Sequence, residues 1–164
     1  TYELPEAQVD RFMLKVVIDY PTLEEEKQIV RAHVKSSFVT PTPVIDTDRI
    51  IKARELVKQV YVDERIEQYV TDLVFATRVP EKYGLAKIKD YIAFSAGPRA
   101  SINLALAARA CAFIKRRGYV VPEDVREVAA DVLRHRIGLS YEAEAANVKS
   151  EDIIRELINK VEVP

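Results

Sequence analysis

From Ile102 to Ile114 the chain offers almost no polar face; Asn103 and Arg109 are the only interruptions in a run of Ile, Leu, Ala, Cys and Phe. A helix that is apolar nearly all round has to be surrounded by other elements. Any fold of this chain is therefore expected to place that segment at its centre. The start of the helix is equally well marked, by Gly97-Pro98-Arg99-Ala100-Ser101. Proline is favoured at the first helical position, where its missing N–H costs little. Gly118 is expected to end the helix.

The surrounding elements are legible from their spacing. Phe12 to Ile18 is a nearly continuous apolar run, broken only by Lys15 and stopped by Tyr20-Pro21, and reads as a buried strand. A lone strand has nothing to pair with, so its sheet is expected in a preceding segment. Thr22-Leu23-Glu24-Glu25 is a capping box, and Glu24, Glu25 and Glu26 suit the positive end of a helix dipole. Leu23, Val30, Val34 and Phe38 share one face of that helix, and Thr40-Pro41-Thr42-Pro43 breaks the chain after it. Asp46 or Thr47 caps a second helix, carrying Ile50, Ala53, Val57, Val60 and Tyr61. Ile66, Tyr69, Val70, Leu73, Val74 and Thr77 mark a third. Residues 79–96 are less regular and contain Lys82, Lys87 and Lys89, so they read either as an exposed functional loop or as solvated lysines. After the central helix, Pro122 opens a fifth that Gly138 ends, and Ser150 caps a last helix. The expected fold is mainly α: one strand followed by roughly six helices.

Charge and cysteine content narrow the function. The 25 basic and 26 acidic residues leave a net charge of -1, which removes any global electrostatic case for nucleic acid. A single cysteine, Cys111, excludes an internal disulfide, reads as a small buried hydrophobe, and points to a reducing, cytoplasmic compartment. No apolar run approaches the ~20 residues of a membrane span. The chain opens at Thr1, without methionine, and reads as part of a longer protein.

Few residues can carry chemistry. No Gly-rich phosphate loop of the G-x-x-x-x-G-K-[ST] type occurs, and no apolar strand ends in paired acids that could hold magnesium. His33 and His135 lack a metal-ligand spacing and read as surface histidines. Arg99 stands out, because a cation at a helix N-terminus is locally unfavourable unless something anionic meets it there. The plain alternative is an ordinary surface ion pair, worth little. Arg11 has a similar alternative, paired with Asp10 or Glu6.

Taken together, these segments form a pattern. Leu4-Pro5-Glu6-Ala7-Gln8-Val9-Asp10-Arg11-Phe12 resembles the L-P-E-A-Q-x-D-R-F stretch after the sensor 1 strand of MoxR-type AAA+ ATPases. Tyr20-Pro21 with Glu24-Glu25-Glu26, Ala76-Thr77-Arg78, Pro98-Arg99-Ala100, Val121-Pro122-Glu123-Asp124-Val125 and Val161-Glu162-Val163-Pro164 continue the likeness across essentially the whole chain. The chain departs from the family's G-A-S-P-R-A by reading Ser95-Ala96-Gly97-Pro98-Arg99-Ala100, which puts Gly97 where a capping serine is usual. A second oddity is Val121 before Pro122, where a Ser or Thr cap is expected.

The resemblance implies a helical AAA+ lid bundle over residues 22–164. Before it, residues 1–21 would be the end of a truncated α/β ATPase core, with its last strand. It further implies that Arg11 is an arginine finger reaching the γ-phosphate bound by a neighbouring subunit. Arg99, with Pro98 and Gly97, would be the sensor 2 site that meets a nucleotide phosphate. ATP and Mg2+ would be held mainly by the core, and this segment alone would not hydrolyse ATP. The intact protein would form a homo-oligomeric ring, a hexamer, and remodel or mature partner proteins, among them partners with von Willebrand A domains.

Two other readings compete. Helices 99–117 and 123–137, with basic Lys115-Arg116-Arg117 and Arg134-His135-Arg136, allow a helix-turn-helix nucleic-acid module. A passive helical adaptor is the third.

Overall fold

The computed structural model describes residues 4–35 and 40–164; Phe38, assigned above to the first helical face, lies outside them. Helices dominate: α1 (Glu6–Val9), α2 (Leu23–Val34), α3 (Thr47–Val57), α4 (Glu64–Ala76), α5 (Pro98–Ile114), α6 (Pro122–Leu133), α7 (Tyr141–Ala145) and α8 (Ser150–Lys160). Two 3-10 segments, Pro80–Tyr83 and Ala86–Tyr91, follow α4. A two-stranded antiparallel sheet joins β1 (Ile92–Phe94) to β2 (Gly138–Leu139).

The core forms around α5, which lies against α6 and α4, while α8 closes over α6 and α4. Its buried face is Ala100, Leu104, Ala107, Ala108, Cys111 and Ala112. Small side chains let a neighbouring helix approach closely, and Val125, Ala129, Val132 and Leu133 of α6 complete a fully buried layer. The helix is not buried all round as its composition suggests, because Ile102, Leu106 and Ile114 face solvent in this chain. It also ends earlier than expected. Arg116 takes the left-handed conformation (φ 59°), and the Arg117 N–H closes on the Ala112 carbonyl at 2.9 Å, so Gly118 is not the stop.

Several local expectations are met by different residues. The Thr22–Glu25 capping box forms as read, and Asp46 caps α3. At α6 the unusual Val121 has no capping side chain, and Asp124 supplies the bond instead by accepting from the Val121 N–H at 3.0 Å. Ser150 is the first residue of α8 rather than its cap, and Asp152 accepts from the Lys149 N–H at 3.0 Å. Ser140 caps α7, a short helix not anticipated from the sequence. Gly138 does not end a helix; it sits in β2, where a Cβ would lie 1.9 Å from the Phe94 ring. Its role is close approach, which favours glycine in a strand.

The apolar run Phe12–Ile18 pairs with no strand among the described residues, and Ile18 and Tyr20 are 90% and 98% exposed. The predicted strand is thus without a ladder here. Helix α2 buries none of its residues, so the apolar positions Leu23, Val30 and Val34 remain open. The segment 79–96 is not a free loop, since Pro80, Leu85, Ile88 and Ala96 are buried in the core.

One buried charge organises the α5–α6 junction. Asp124 is wholly buried and takes Nη1 of Arg117 at 2.7 Å, a second contact from Arg117 Nη2, and Nζ of Lys115 at 3.3 Å. Burial pushes its carboxyl up, and the bonds from Arg117, the Val121 amide and Lys115 outweigh that and hold it below its ordinary value. The Cys111 thiol lies 3.6 Å from the same carboxylate, and burial raises its pKa, in keeping with an unreactive core cysteine. Removing one member of a buried pair strands the other. Arg117 keeps part of its surface in water, so Asp124→Ala is expected to cost about 3 kcal/mol, the lower end of that class. In urea unfolding this appears as a lower midpoint with an unchanged slope.

Candidate functional site

Arg99 is the second residue of α5, and its side chain is 54% exposed. The first turn of α5 contains no acidic residue, and Gly97 provides no side-chain cap. Pro98 has no N–H to offer, and the Ala100 N–H closes on the Gly97 carbonyl at 3.0 Å, so the anion-binding capacity of this helix start rests on the Arg99 side chain. Gly97 has extended backbone, and a Cβ there would meet nothing within 4 Å, so the conformation does not require glycine. What glycine changes is the absence of a hydroxyl over the helix start.

The turn before Arg99 is held from both sides. The Ala96 N–H donates to Thr77 Oγ1 at 3.1 Å, and Arg78 Nε donates to the Ala96 carbonyl at 2.9 Å. Thr77 is buried and donates in turn to the Val74 carbonyl at 2.7 Å. The Arg78 guanidinium lies over the Phe75 ring, 4.8 Å from its centroid. The Ala76-Thr77-Arg78 motif therefore fixes the loop from which Arg99 projects.

The N-terminal block lies against the same place. Its short helix α1 ends at Asp10, whose carboxylate takes two guanidinium groups. Oδ2 accepts from Arg99 Nη1 at 3.2 Å, and Oδ1 accepts from Arg136 Nε at 3.0 Å. Arg136 is buried, and it also donates to the carbonyls of Asp10 (2.9 Å), Met13 (3.2 Å), Phe12 and Val132. Burial lowers its pKa, and the Asp10 carboxylate works in the opposite direction. Beside it, His135 Nε2 lies 3.0 Å from the Phe12 carbonyl, which assigns the ring proton to Nε2. Arg134 bonds to the Lys15 carbonyl, Asp131 and Glu151, and the Lys15 N–H donates to the Asp131 carbonyl at 2.8 Å. Arg134-His135-Arg136 thus binds residues 10–15.

These contacts revise two expectations. Asp10 pairs with Arg99 and Arg136 and not with its neighbour Arg11, whose exposed side chain has no ion pair among the described residues. His135 is not a surface histidine; it is half-buried, and its Nδ1 is enclosed without a partner. His33 does lie exposed on α2. An open groove of about 330 Å³ remains between the N-terminal block and the β1–α5 turn, lined by Glu6, Asp10, Phe94, Gly97, His135 and Arg136. Among the described residues no group of three or more His, Cys, Asp or Glu converges on a metal position. No helix among them is long and apolar enough to cross a membrane. The basic clusters offered for a helix-turn-helix reading are engaged internally: Lys115 and Arg117 with Asp124, and Arg134 and Arg136 with the N-terminal segment.

Comparisons with known proteins agree with this arrangement. Residues 86–157 match the AAA lid domain family. The chain is 40% identical to the chaperone MoxR1 of Mycobacterium tuberculosis, over 99% of this chain and 43% of that protein. It is 36% identical to the uncharacterized protein YeaC of Bacillus subtilis, over 100% of this chain and 49% of that one. A candidate ATPase from Cytophaga hutchinsonii, solved by crystallography, is 41% identical and superposes with a TM-score of 0.93, covering 99% of this chain and 50% of its own. The chain thus spans about half the length of the relatives it matches.

His135 gives the junction a pH dependence. Burial pushes its pKa below the ordinary 6.5, with Arg136 and Lys15 adding to the shift, and the Phe12 carbonyl and Asp10 opposing it. A folded value below the unfolded one means that the unfolded chain takes up the proton first. Stability is then present above 6.5 and is lost as pH falls from there toward the folded value. Urea midpoints measured from about pH 7.5 to 5.5 are expected to fall, and His135→Phe is expected to flatten that slope.

Proposed function

Because this chain belongs to the MoxR-type AAA+ ATPases and carries their helical lid, we propose that it forms the phosphate-sensing half of an ATP-hydrolysing protein. Residues 22–164 are the lid in this reading, and residues 1–21 are the end of the ATPase core. Arg99, with Pro98 and Gly97 at the start of α5, acts as sensor 2. Arg11 acts as an arginine finger toward the nucleotide of a neighbouring subunit in a homo-oligomeric ring, a hexamer.

The observation that carries this reading is the meeting of two distant segments. Arg99 is exposed at an uncapped helix start and touches Asp10, the residue before an unpaired, exposed Arg11. The Arg11 backbone is therefore one residue away from the carboxylate that Arg99 touches. Such an arrangement suits a polyphosphate, because guanidinium groups give directional, charge-assisted bonds to phosphate oxygens. When bound, the nucleotide supplies a γ-phosphoryl group whose transfer to water is favoured by positive charge on its oxygens. Arg99 and Arg11 would provide that charge, and the Thr77–Ala96–Arg78 contacts would hold Arg99's backbone in place.

The fit differs for the two cofactors. The cations suit ATP. Among the described residues none is assigned to Mg2+, and the sequence contains no Gly-rich phosphate loop. Both are assigned mainly to an α/β core, and the segment by itself is taken to be inactive. The exposed apolar run at 12–18 and the open faces of α2 support packing against such a core. We extend the reading to chaperone-like remodelling of partner proteins, with von Willebrand A domain proteins as the first class to examine, acting in the cytoplasm.

The test is ATP turnover by the intact protein at saturating ATP and matched oligomeric state. Arg99→Ala is expected to lower kcat about tenfold or more, and Arg11→Ala by about 10³-fold or more. Unchanged turnover in both variants would return the two arginines to surface cations.

A further inference from the structure

We propose that Asp10 is a positioning residue that locks the Arg11 turn to the lid and keeps Arg99 beside it. This rests on the reading of Arg11 and Arg99 as phosphate-facing groups, and adds the element that couples them.

Asp10 is held at three points. Its N–H closes on the Glu6 carbonyl at 2.9 Å, its own carbonyl accepts from Arg136 Nη2 at 2.9 Å, and its Oδ1 accepts from Arg136 Nε at 3.0 Å. Among the described residues the adjacent Arg11 is anchored through its backbone alone, by a 3.2 Å bond from its N–H to the Gln8 carbonyl. Where Arg11 projects is thus set by where Asp10 is fixed.

The two ion pairs of Asp10 are unequal. The Arg136 side chain is 1% exposed, and its donors are taken up by Asp10, three further carbonyls and no solvent. Breaking that pair inside the packed junction leaves a buried cation, so it is the stronger of the two. The Arg99 side chain is 54% exposed and gives Asp10 a single bond of 3.2 Å. A half-exposed pair of this kind is weak, so a phosphate can draw Arg99 from Oδ2 without disturbing Oδ1. Asp10 then keeps the Arg11 turn in register while Arg99 is released. Arg136 lies three residues past the end of α6, and its N–H closes on the Leu133 carbonyl at 2.8 Å, so the Arg11 turn is tied to the end of that helix.

The test is a double-mutant cycle in the intact protein, with Asp10→Asn and Arg11→Ala, reading kcat and KM for ATP separately. Thermal midpoint and oligomeric state are checked for each variant. Asp10→Asn keeps the shape and loses the charge. It is expected to lower kcat about tenfold or more with KM changed less than about threefold. The double variant is expected to be no slower than Arg11→Ala alone, because a misplaced Arg11 and a missing one fail at the same step. Should Asp10→Asn fail to assemble, the same cycle with Asp10→Glu, which moves the carboxylate by one methylene, carries the test with the same outcomes. Wild-type kcat in the Asp10 variant, or losses that multiply in the double variant, would overturn the positioning role while leaving Arg11 as a finger. Wild-type turnover in Arg11→Ala would overturn both.

Discussion

Residues 10–15 carry backbone carbonyls that no regular structure within the described chain satisfies, and Arg134-His135-Arg136 supplies the donors. Arg136 reaches Asp10, Phe12 and Met13, His135 reaches Phe12, and Arg134 reaches Lys15. Arg136 is buried, and a buried guanidinium with no acceptor is strongly unfavourable. The carbonyls of Asp10, Phe12 and Met13 and the Asp10 carboxylate supply its acceptors. This requirement places the N-terminal block on the end of α6 and, through Asp10, next to the start of α5. Without it Arg11 and Arg99 are 88 positions apart in sequence with nothing to bring them together.

The same economy shapes the loop before Arg99. Ala96 has its N–H bound by Thr77 and its carbonyl by Arg78, both at the end of α4. Helix α4 is in turn fixed by Tyr69, Leu73 and Val74 in the core. A chain of contacts runs from the packed centre of the bundle to a charged side chain in water. Rigid placement of an exposed cation is what a phosphate contact needs, because each bond is strong only in a narrow geometry. The lid is thus a platform for Arg99 and an anchor for Arg11.

How legible this was in the sequence depends on the range of the interaction. Apolar periodicity located α4, α5, α6 and α8, because burial of one face is a local signal. The Thr22–Glu25 box and Pro98 marked helix starts for the same reason. The β1–β2 sheet was not visible: each strand is two or three residues long, and their pairing depends on Gly138 admitting the Phe94 ring. The arginines of 134–136 read as a surface cluster because charge alone does not reveal that a side chain turns inward. Asp124 behaved likewise, since its cap, its ion pairs and its burial are set by Arg117 and Lys115 across a turn. The motif residues Arg11 and Arg99 were legible as candidates from family likeness, while the carboxylate that joins them needed three dimensions. Asp10 lay inside the quoted motif, and its partner at 136 carried no local mark.

In the proposed function, Arg11 and Arg99 face bound nucleotide from a junction built around Asp10 and Arg136. The most direct measurement is a structure of the intact oligomer with a non-hydrolysable ATP analogue and Mg2+. The expected result is Arg11 within hydrogen-bonding distance of a γ-phosphate held by an adjoining subunit, Arg99 on a nucleotide phosphate, and the Asp10–Arg136 pair unbroken. Nucleotide bound in the ring with both guanidinium groups turned to solvent, or with the Asp10–Arg136 pair separated, would contradict it.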